Sequence, residues 1–373
     1  MTDQFAPIEC QVFRLSMASP NDVSALRQLF DSGDLDPTHV VAVVGKTEGN
    51  GGVNDFTRGY FTQSLMLLLA ERLGISADAV AARVPCVLSG GTEGALSPHM
   101  AVFARVPTTQ PPSAAALAIG VAFAAEAPAE AVGRMAQVEA TAAAVEDAMA
   151  DSGLLTEEVE FVQVKAPCLT SARIAEARGR GATVITTDIN GAMALSRSAA
   201  ALGAALALGD TPRERLSEAA IGQDMTLFSP RVSVSSGVEI TRTEVIVLGN
   251  SPRWSGPLRI AHRPMADALD IGSVYGVLED LGIQAFPTVG EADRPRIKAV
   301  LVKGMPDPSG TVRGFRHTML DDTDINAQRH IRAALGGLAS AVLGDGRIFV
   351  SGGAEHQGPD GGGLIAVIAE AAR

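Results

Sequence analysis

Short apolar runs alternate with polar, glycine-bearing stretches along the whole chain, and one succession of runs occurs three times. In the first, residues 11–15 predict a strand, and 21–30 a helix opened by Asn21-Asp22 and stopped by Asp31-Ser32-Gly33. The run 40–44, apolar at every position and rich in β-branched residues, predicts a buried strand, and it ends in Gly45-Lys46. A glycine-rich loop, 47–55, leads to Asp55 as the cap of a helix that carries Arg58 and runs to Leu73. Strand-like runs at 84–88 and 100–104 complete the unit.

The second succession predicts a strand at 117–123, an Ala-rich helix at 129–150 stopped by Asp151-Ser152-Gly153, and a strand at 159–164 ending in Lys165. A helix carrying Arg197 follows, then strands at 231–234 and 244–248. The third predicts strands at 258–261 and 297–302, the latter ending in Lys303, with a helix at 271–281 between them. It closes with a helix carrying Arg329 and strands at 347–350 and 364–368. Each unit thus reads strand, helix, strand-Lys, helix-Arg, strand, strand. That is an α+β unit with helices on one side of a sheet. Three such units, residues 1–106, 113–250 and 256–373, are joined by linkers rich in Pro, Ser or Gly near 107–113 and 250–257. Concatenated repeats of this kind predict a pseudo-threefold arrangement, sheets inward forming a central barrel and helices outside.

A turn of pattern Ser-x-Gly-x-Glu heads the same place in every unit: Ser89-Gly90-Gly91-Thr92-Glu93, Ser235-Ser236-Gly237-Val238-Glu239 and Ser351-Gly352-Gly353-Ala354-Glu355. A single Ser-Gly turn is ordinary loop punctuation, but three at matching positions are part of the repeat.

Composition narrows the function. An apolar share of 46% with 19% charged residues describes a well-buried chain, and a net charge of −12 argues against nucleic acid or an anionic membrane as partner. Aromatics at 4%, with Trp254 the single tryptophan, leave no base-stacking platform. Cys10, Cys86 and Cys168 are widely spaced, without metal or CxxC spacing, so buried free thiols in a reducing compartment are expected. The N-terminal Met-Thr-Asp-Gln has neither the basic nor the apolar region of a signal peptide, and no run is long enough to span a bilayer; the expected location is cytoplasmic. Gly45-Lys46-Thr47 ends like a phosphate-binding loop, but Val40 stands where the required earlier glycine belongs. The six histidines are scattered and contain no HExxH.

What remains is Lys46, Lys165 and Lys303 at strand ends, Arg58, Arg197 and Arg329 near helix starts, and Ser89, Ser235 and Ser351 at the turns. A serine hydroxyl becomes a nucleophile when a neighbouring base takes its proton, and a neutral lysine can do so. Its pKa must then fall from about 10.4 toward roughly 7–8, which burial and nearby like charges achieve. Turn N–H groups beside each Ser are candidates for an oxyanion hole. Convergent guanidinium groups suit a small planar substrate with several carbonyls, most simply one that is itself threefold.

These motifs are long enough to carry a resemblance. Gly45-Lys46-Thr47-Glu48-Gly49-Asn50-Gly51 through Asn54-Asp55-Phe56-Thr57-Arg58 resembles the signature of the cyanuric acid hydrolase/barbiturase family of ring-opening amidohydrolases. So do Ser89-Gly90-Gly91-Thr92-Glu93-Gly94, Arg313-Gly314 with Arg316-His317-Thr318-Met319-Leu320, and Ser-Gly-Gly-Ala-Glu-His-Gln-Gly-Pro from 351 to 359. The resemblance covers essentially the whole chain. It implies three fused repeats around a central site, a homotetramer, and hydrolysis of cyanuric acid to carboxybiuret, which loses CO2 to give biuret. It implies Ser235 as nucleophile and Lys165 as its base, with Lys46 and Lys303 in the other two pairs. Arg58, Ser89, Gly90, Arg197, Ser235, Ser236, Arg329, Ser351 and Gly352 map onto substrate binding.

Within that family, Gly52 replaces a Cys common in cyanuric acid hydrolases and is shared with barbiturases, whereas Arg197 and Ser351-Gly352-Gly353-Ala354-Glu355 match the cyanuric-acid group. The first expectation is therefore cyanuric acid amidohydrolase; the alternatives are barbiturase, and a non-catalytic scaffold binding a small heterocycle. No cofactor is expected for catalysis. The resemblance implies a structural divalent cation, Mg or Ca, held through Ala354, Gln357, Gly358, Pro359 and Gly362. Met305 stands where the family usually adds a Glu, and a thioether is a poor ligand for a hard cation.

Overall fold

The apolar runs pair into three open four-stranded sheets. A computed structural model describes residues 7–112 and 115–371, so the N-terminal Met-Thr-Asp-Gln, Ser113 at a predicted boundary and the last two residues lie outside it. The first unit contains β1 (Ile8–Ser16), α1 (Ser24–Ser32), β2 (Val40–Thr47), α2 (Phe56–Leu73), α3 (Ala77–Ala81), β3 (Cys86–Gly90) and β4 (His99–Pro107). The second contains β5 (Ala116–Glu126), α4 (Met135–Ser152), β6 (Val159–Pro167), α5 (Ser171–Gly179), α6 (Ile189–Ala207), β7 (Val232–Gly237) and β8 (Arg242–Ser251). The third contains β9 (Leu258–Met265), α7 (Ile271–Asp280), β10 (Ile297–Gly304), a two-stranded ribbon of β11 (Thr311–Val312) and β12 (Phe315–Arg316), α8 (Ala327–Leu343), β13 (Phe349–Gly352) and β14 (Gly363–Glu370).

Strand order is the same in each large sheet: β1-β4-β2-β3, β5-β8-β6-β7 and β9-β14-β10-β13. The Lys-bearing strand is central, parallel to the Ser-bearing strand and antiparallel to the closing strand. The chain is α+β, but the expected barrel does not form among the described residues. Hydrogen bonding stops at the edges of each sheet, and side chains fill the space between the sheets instead. One continuous core joins inward residues of all three, among them Val44, Phe103, Ile119, Phe161, Ile260 and Phe349.

The pleat explains why the lysines point inward. In β2, Ala42 and Val44 enter the shared core while Val43 packs beneath the helices, and in β10 Ala299 and Leu301 do the same opposite Val300. Lys46 and Lys303 follow with the inward parity. An irregularity in the ladder recurs at the start of each central strand, between Val40 and Ala42, Val159 and Phe161, and Ile297 and Ala299.

Two expectations about helices change. The predicted helix at 129–150 begins only at Met135, because Gly133 takes φ +77° and leaves 129–131 as a single 3₁₀ turn. The helix α5 was not expected: only Ile174 and Ala177 are buried in it, too few to leave a helical apolar period in the sequence.

Candidate active site

Register delivers each lysine to its serine. On adjacent parallel strands Lys46 pairs with Ser89, Lys165 with Ser235 and Lys303 with Ser351. All three lysines are fully buried. Lys46 Nζ lies 3.0 Å from Ser89 Oγ, 3.3 Å from the Gly90 carbonyl and 2.5 Å from the Val350 carbonyl of the third unit. Lys303 Nζ repeats this, 3.0 Å from Ser351 Oγ, 3.0 Å from the Gly352 carbonyl and 2.5 Å from the Val234 carbonyl of the second unit. Each amine thus donates to two carbonyls and to its serine hydroxyl, and Ser89 Oγ in turn donates to the Val350 carbonyl at 3.0 Å. Burial pushes both lysines well below their usual range, and the guanidinium groups of Arg332 and Arg197 respectively push further.

Lys165 is held differently. Its Nζ donates to the Leu88 carbonyl of the first unit at 2.8 Å and pairs with Glu239 Oε1 at 2.6 Å. Ser235 Oγ donates to the same Leu88 carbonyl at 3.3 Å, so amine and hydroxyl meet at one oxygen. Burial lowers the Lys165 pKa, but the Glu239 carboxylate opposes that effect. Burial would raise Glu239 in turn; Lys165 and Arg58 override it and hold the carboxyl at about 2.

The glutamate of each turn pairs with an arginine of another unit, in a cycle. Arg58 Nε reaches Glu239 at 2.9 Å; Arg197 grips Glu355 through two bonds of 3.0 and 2.8 Å; Arg332 grips Glu93 through two of 2.9 and 2.6 Å. Glycine in the motif makes the room. A Cβ at Gly91 would lie 2.4 Å from Glu93 Oε1, one at Gly237 2.1 Å from Glu239 Oε2, and one at Gly353 2.5 Å from Arg197 Nη2. The glycine-rich loop before α2 adds carbonyls: Gly52 accepts from Arg58 at 3.0 Å and Asn50 from Arg332 at 3.2 Å. Asp55 ties that loop to the helix, accepting from the N–H groups of Thr57 and Gly51 and from Arg58.

These side chains surround one cavity of about 300 Å³, lined by Arg58, Arg197, Arg332, Ser89, Gly90, Ser235, Ser236, Ser351 and Gly352, with Gly51, Leu88 and Met193 completing the wall. A larger hollow of about 1220 Å³ shares Arg197, Arg332, Met193 and Gly352 with it and continues past Asn326, Gln328 and Arg329. Ser236 Oγ donates to the Met193 carbonyl at 3.1 Å. The Gly91 N–H, one of the turn donors considered for an oxyanion hole, is committed to the Thr47 carbonyl at 2.7 Å.

Arg329 is the residue the structure moves out of the predicted set. It lies in the outer hollow with its side chain 45% exposed, touching Glu93 at 3.2 Å, while Arg332, one turn on and 4% exposed, takes the place in the cavity. The helix phase decides this, because Arg332 shares the buried face of α8 with Leu335 and Ala339. The signal was present in the sequence: Arg197-Ser-Ala-Ala-Ala-Leu-Gly is echoed by Arg332-Ala-Ala-Leu-Gly. The glutamates of the turns were visible in the motif too, without a role.

The residues expected to hold a divalent ion are engaged with one another. Gln357 Oε1 accepts from the Val234 N–H at 2.6 Å, and the carbonyls of Ala354, Pro359 and Gly362 accept from the N–H groups of Gln357, Gly362 and Met305. No group of three or more His, Cys, Asp or Glu able to hold a metal occurs among the described residues. Among these residues Met305 supplies a thioether where a carboxylate would be the charged ligand, so the set offers a hard cation neutral carbonyl oxygens only.

Opposite each lysine on the closing strand stand His99, Glu244 and Leu364 respectively. Glu244 is buried, accepts from the Cys86 N–H at 2.9 Å, and is raised to about 7 by burial. A carboxyl raised above its unfolded value favours the protonated fold, so this group subtracts stability as pH rises from about 4.5 through 7. Glu244→Gln keeps the acceptor without the charge. Thermal melts are expected to show the variant gaining on the wild type between pH 5 and pH 8, by up to about 3 kcal/mol.

The chain that carries this site belongs to a class of hydrolases that open cyclic amides. The sequence pattern of the family described as amidohydrolase ring-opening protein matches residues 11–370, and the chain belongs to that family. Among its relatives, the cyanuric acid amidohydrolase of Azorhizobium caulinodans is 51% identical over 360 residues, covering 96% of this chain and 98% of its own. That of Ectopseudomonas oleovorans is 49% identical over 366 residues, covering 97% and 99%. The solved cyanuric acid hydrolase of A. caulinodans superposes with a TM-score of 0.91 at 50% identity, covering 98% of this chain and 100% of that one. A further cyanuric acid hydrolase, described as an innovation by structural concatenation, gives 0.93 at 45% identity with the same coverage.

Proposed function

We propose that this chain is a cyanuric acid amidohydrolase whose working pair is Ser235 and Lys165. The observation that carries the reading is the cycle itself: three Lys–Ser pairs and three Arg–Glu pairs, each completed by another unit, around one cavity of about 300 Å³. Three units, residues 1–106, 113–250 and 256–373, set about a pseudo-threefold axis, account for it. The ring of cyanuric acid alternates three carbonyls with three N–H groups, and the cavity offers a guanidinium and a hydroxyl from every unit. Arg58, Arg197 and Arg332 hold ring oxygens, and Ser89 and Ser351 with their lysines hold the two parts of the ring that do not react.

Lys165 as free amine takes the Ser235 proton as Oγ attacks a ring carbonyl, and the Arg–Glu pairs are fixed dipoles that stabilise the resulting oxyanion. The tetrahedral centre collapses with cleavage of the ring C–N bond, and Lys165 passes its proton to the departing nitrogen. Water, deprotonated by Lys165, then releases the acyl group from Ser235 as carboxybiuret, which loses CO2 to give biuret. Catalysis uses no cofactor. Assembly as a homotetramer and a cytoplasmic setting belong to the same proposal; no helix among the described residues is long and apolar enough to cross a membrane.

Barbituric acid replaces one ring N–H by CH2, and a site built to pair that N–H rejects the analogue. Side-by-side assays are expected to give biuret and CO2 from cyanuric acid with kcat/KM at least roughly tenfold above that for barbituric acid. Preference for barbituric acid would place the chain with the barbiturases. Binding of either ring without turnover would make it a scaffold.

A further inference from the structure

The three lysines are not equivalent, and what separates them is one carboxylate. Lys46 and Lys303 each touch their own serine and two carbonyls; Lys165 alone touches a glutamate, Glu239, at 2.6 Å. Glu93 and Glu355 have both oxygens engaged by arginines, Glu355 by Arg197 and Glu93 by Arg332 and Arg329, whereas Glu239 gives Oε1 to both Arg58 and Lys165, and its buried Oε2 has no hydrogen-bond partner among the described residues.

This arrangement poses a problem for the reading above, on which the inference rests. An ammonium paired with a carboxylate cannot take the Ser235 proton, and fully buried Lys165 has no exposed surface through which to pass its own directly to water. We propose that Glu239 is a positioning residue that takes the Lys165 proton when substrate fills the cavity, and so makes the second pair the one that reacts. The Nζ–H bond breaks and an Oε1–H bond forms across the ion pair. Ammonium and carboxylate become amine and carboxylic acid, and no charge enters or leaves. Excluding water favours this neutral form, because a dry site penalises separated charges. The amine then takes the Ser235 proton as Oγ attacks. After deacylation Lys165 has returned a proton to Ser235, and Glu239 gives the borrowed one back.

The groups facing this pair come from several elements. Arg58 with Asp55 behind it approaches from the start of α2, Glu244 and Arg242 from β8, Cys86 from β3, and Cys168 from just beyond β6. The orphan oxygen and the shared one make Glu239 the member of the three with proton-accepting capacity left over.

The test is the ratio of kcat for Glu239→Gln to kcat for wild type on cyanuric acid, measured from pH 5 to 9, which cancels ionisation of the substrate. In the variant the Lys165 proton must leave to solvent. The ratio is therefore expected to be depressed at least 100-fold at pH 5 and to climb by up to tenfold per pH unit toward a plateau. Glu93→Gln and Glu355→Gln, which loosen only an arginine, are expected to lower kcat/KM by a pH-independent factor. Glu239→Asp, a shorter carboxylate, is expected to restore part of the low-pH activity. A pH-independent ratio for Glu239→Gln, or the same trend in Glu93→Gln, overturns the proposal. Ser235→Ala separates the two levels. If it retains turnover, the assignment of the working pair fails; if it is inactive while the Glu239→Gln ratio stays flat, only the proton transfer fails.

Discussion

Ser235→Ala is expected to lower kcat on cyanuric acid by roughly 10⁴- to 10⁶-fold, the scale on which loss of a nucleophile is felt. Ser89→Ala and Ser351→Ala are expected to cost only about 10- to 100-fold each, because they remove a binding hydroxyl and leave a buried amine short of one partner. The physical reason for the difference lies beside the serines. Ser89 and Ser351 accept a hydrogen bond from their lysines, while Ser235 shares the Leu88 carbonyl with a lysine that carries its own carboxylate. Steady-state rates for the three variants check this, with retained affinity for cyanuric acid by calorimetry showing that the cavity survives. Comparable losses in all three would mean that the pairs are chemically interchangeable.

The second large effect is at Arg332. Arg332→Ala removes a guanidinium from the cavity and leaves Glu93 only the exposed Arg329, and kcat/KM is expected to fall by about 10²- to 10³-fold. Arg329→Ala, three positions earlier on α8, is expected to stay within about threefold of wild type, since an exposed ion pair contributes little. The contrast is sharp because both arginines touch Glu93 and only one lines the central cavity. Equal losses at the two positions would return Arg329 to the site.

Much of this geometry is legible in the sequence, and the part that is not has a physical cause. Lys46, Lys165 and Lys303 end apolar runs and the serines open glycine turns, so strand pairing in register was enough to bring them together. Parity along the pleat then turned the lysines inward. Helix phase was harder: Arg329 and Arg332 are both plausible from the cap at Asn326, and the choice rests on which face of α8 packs, a tertiary fact. The barrel was over-read, because repetition of a sheet says nothing about whether edges join; here side chains fill the centre. The Arg–Glu cycle could not be read at all without coordinates, since each pair joins residues at least 158 positions apart in different units. The motif nonetheless marked its glutamates, and glycine at the third position is explained by the space those pairs occupy.

The central claim is that one serine of the three opens the ring. Mixing enzyme with cyanuric acid, quenching with acid before the first turnover is complete, and digesting for mass spectrometry reads it directly. The predicted result is a peptide containing Ser235 heavier by one whole substrate molecule, the mass of a ring-opened acyl group still attached to Oγ. An adduct on Ser89 or Ser351, or turnover with no covalent adduct under conditions that trap it, would contradict the account.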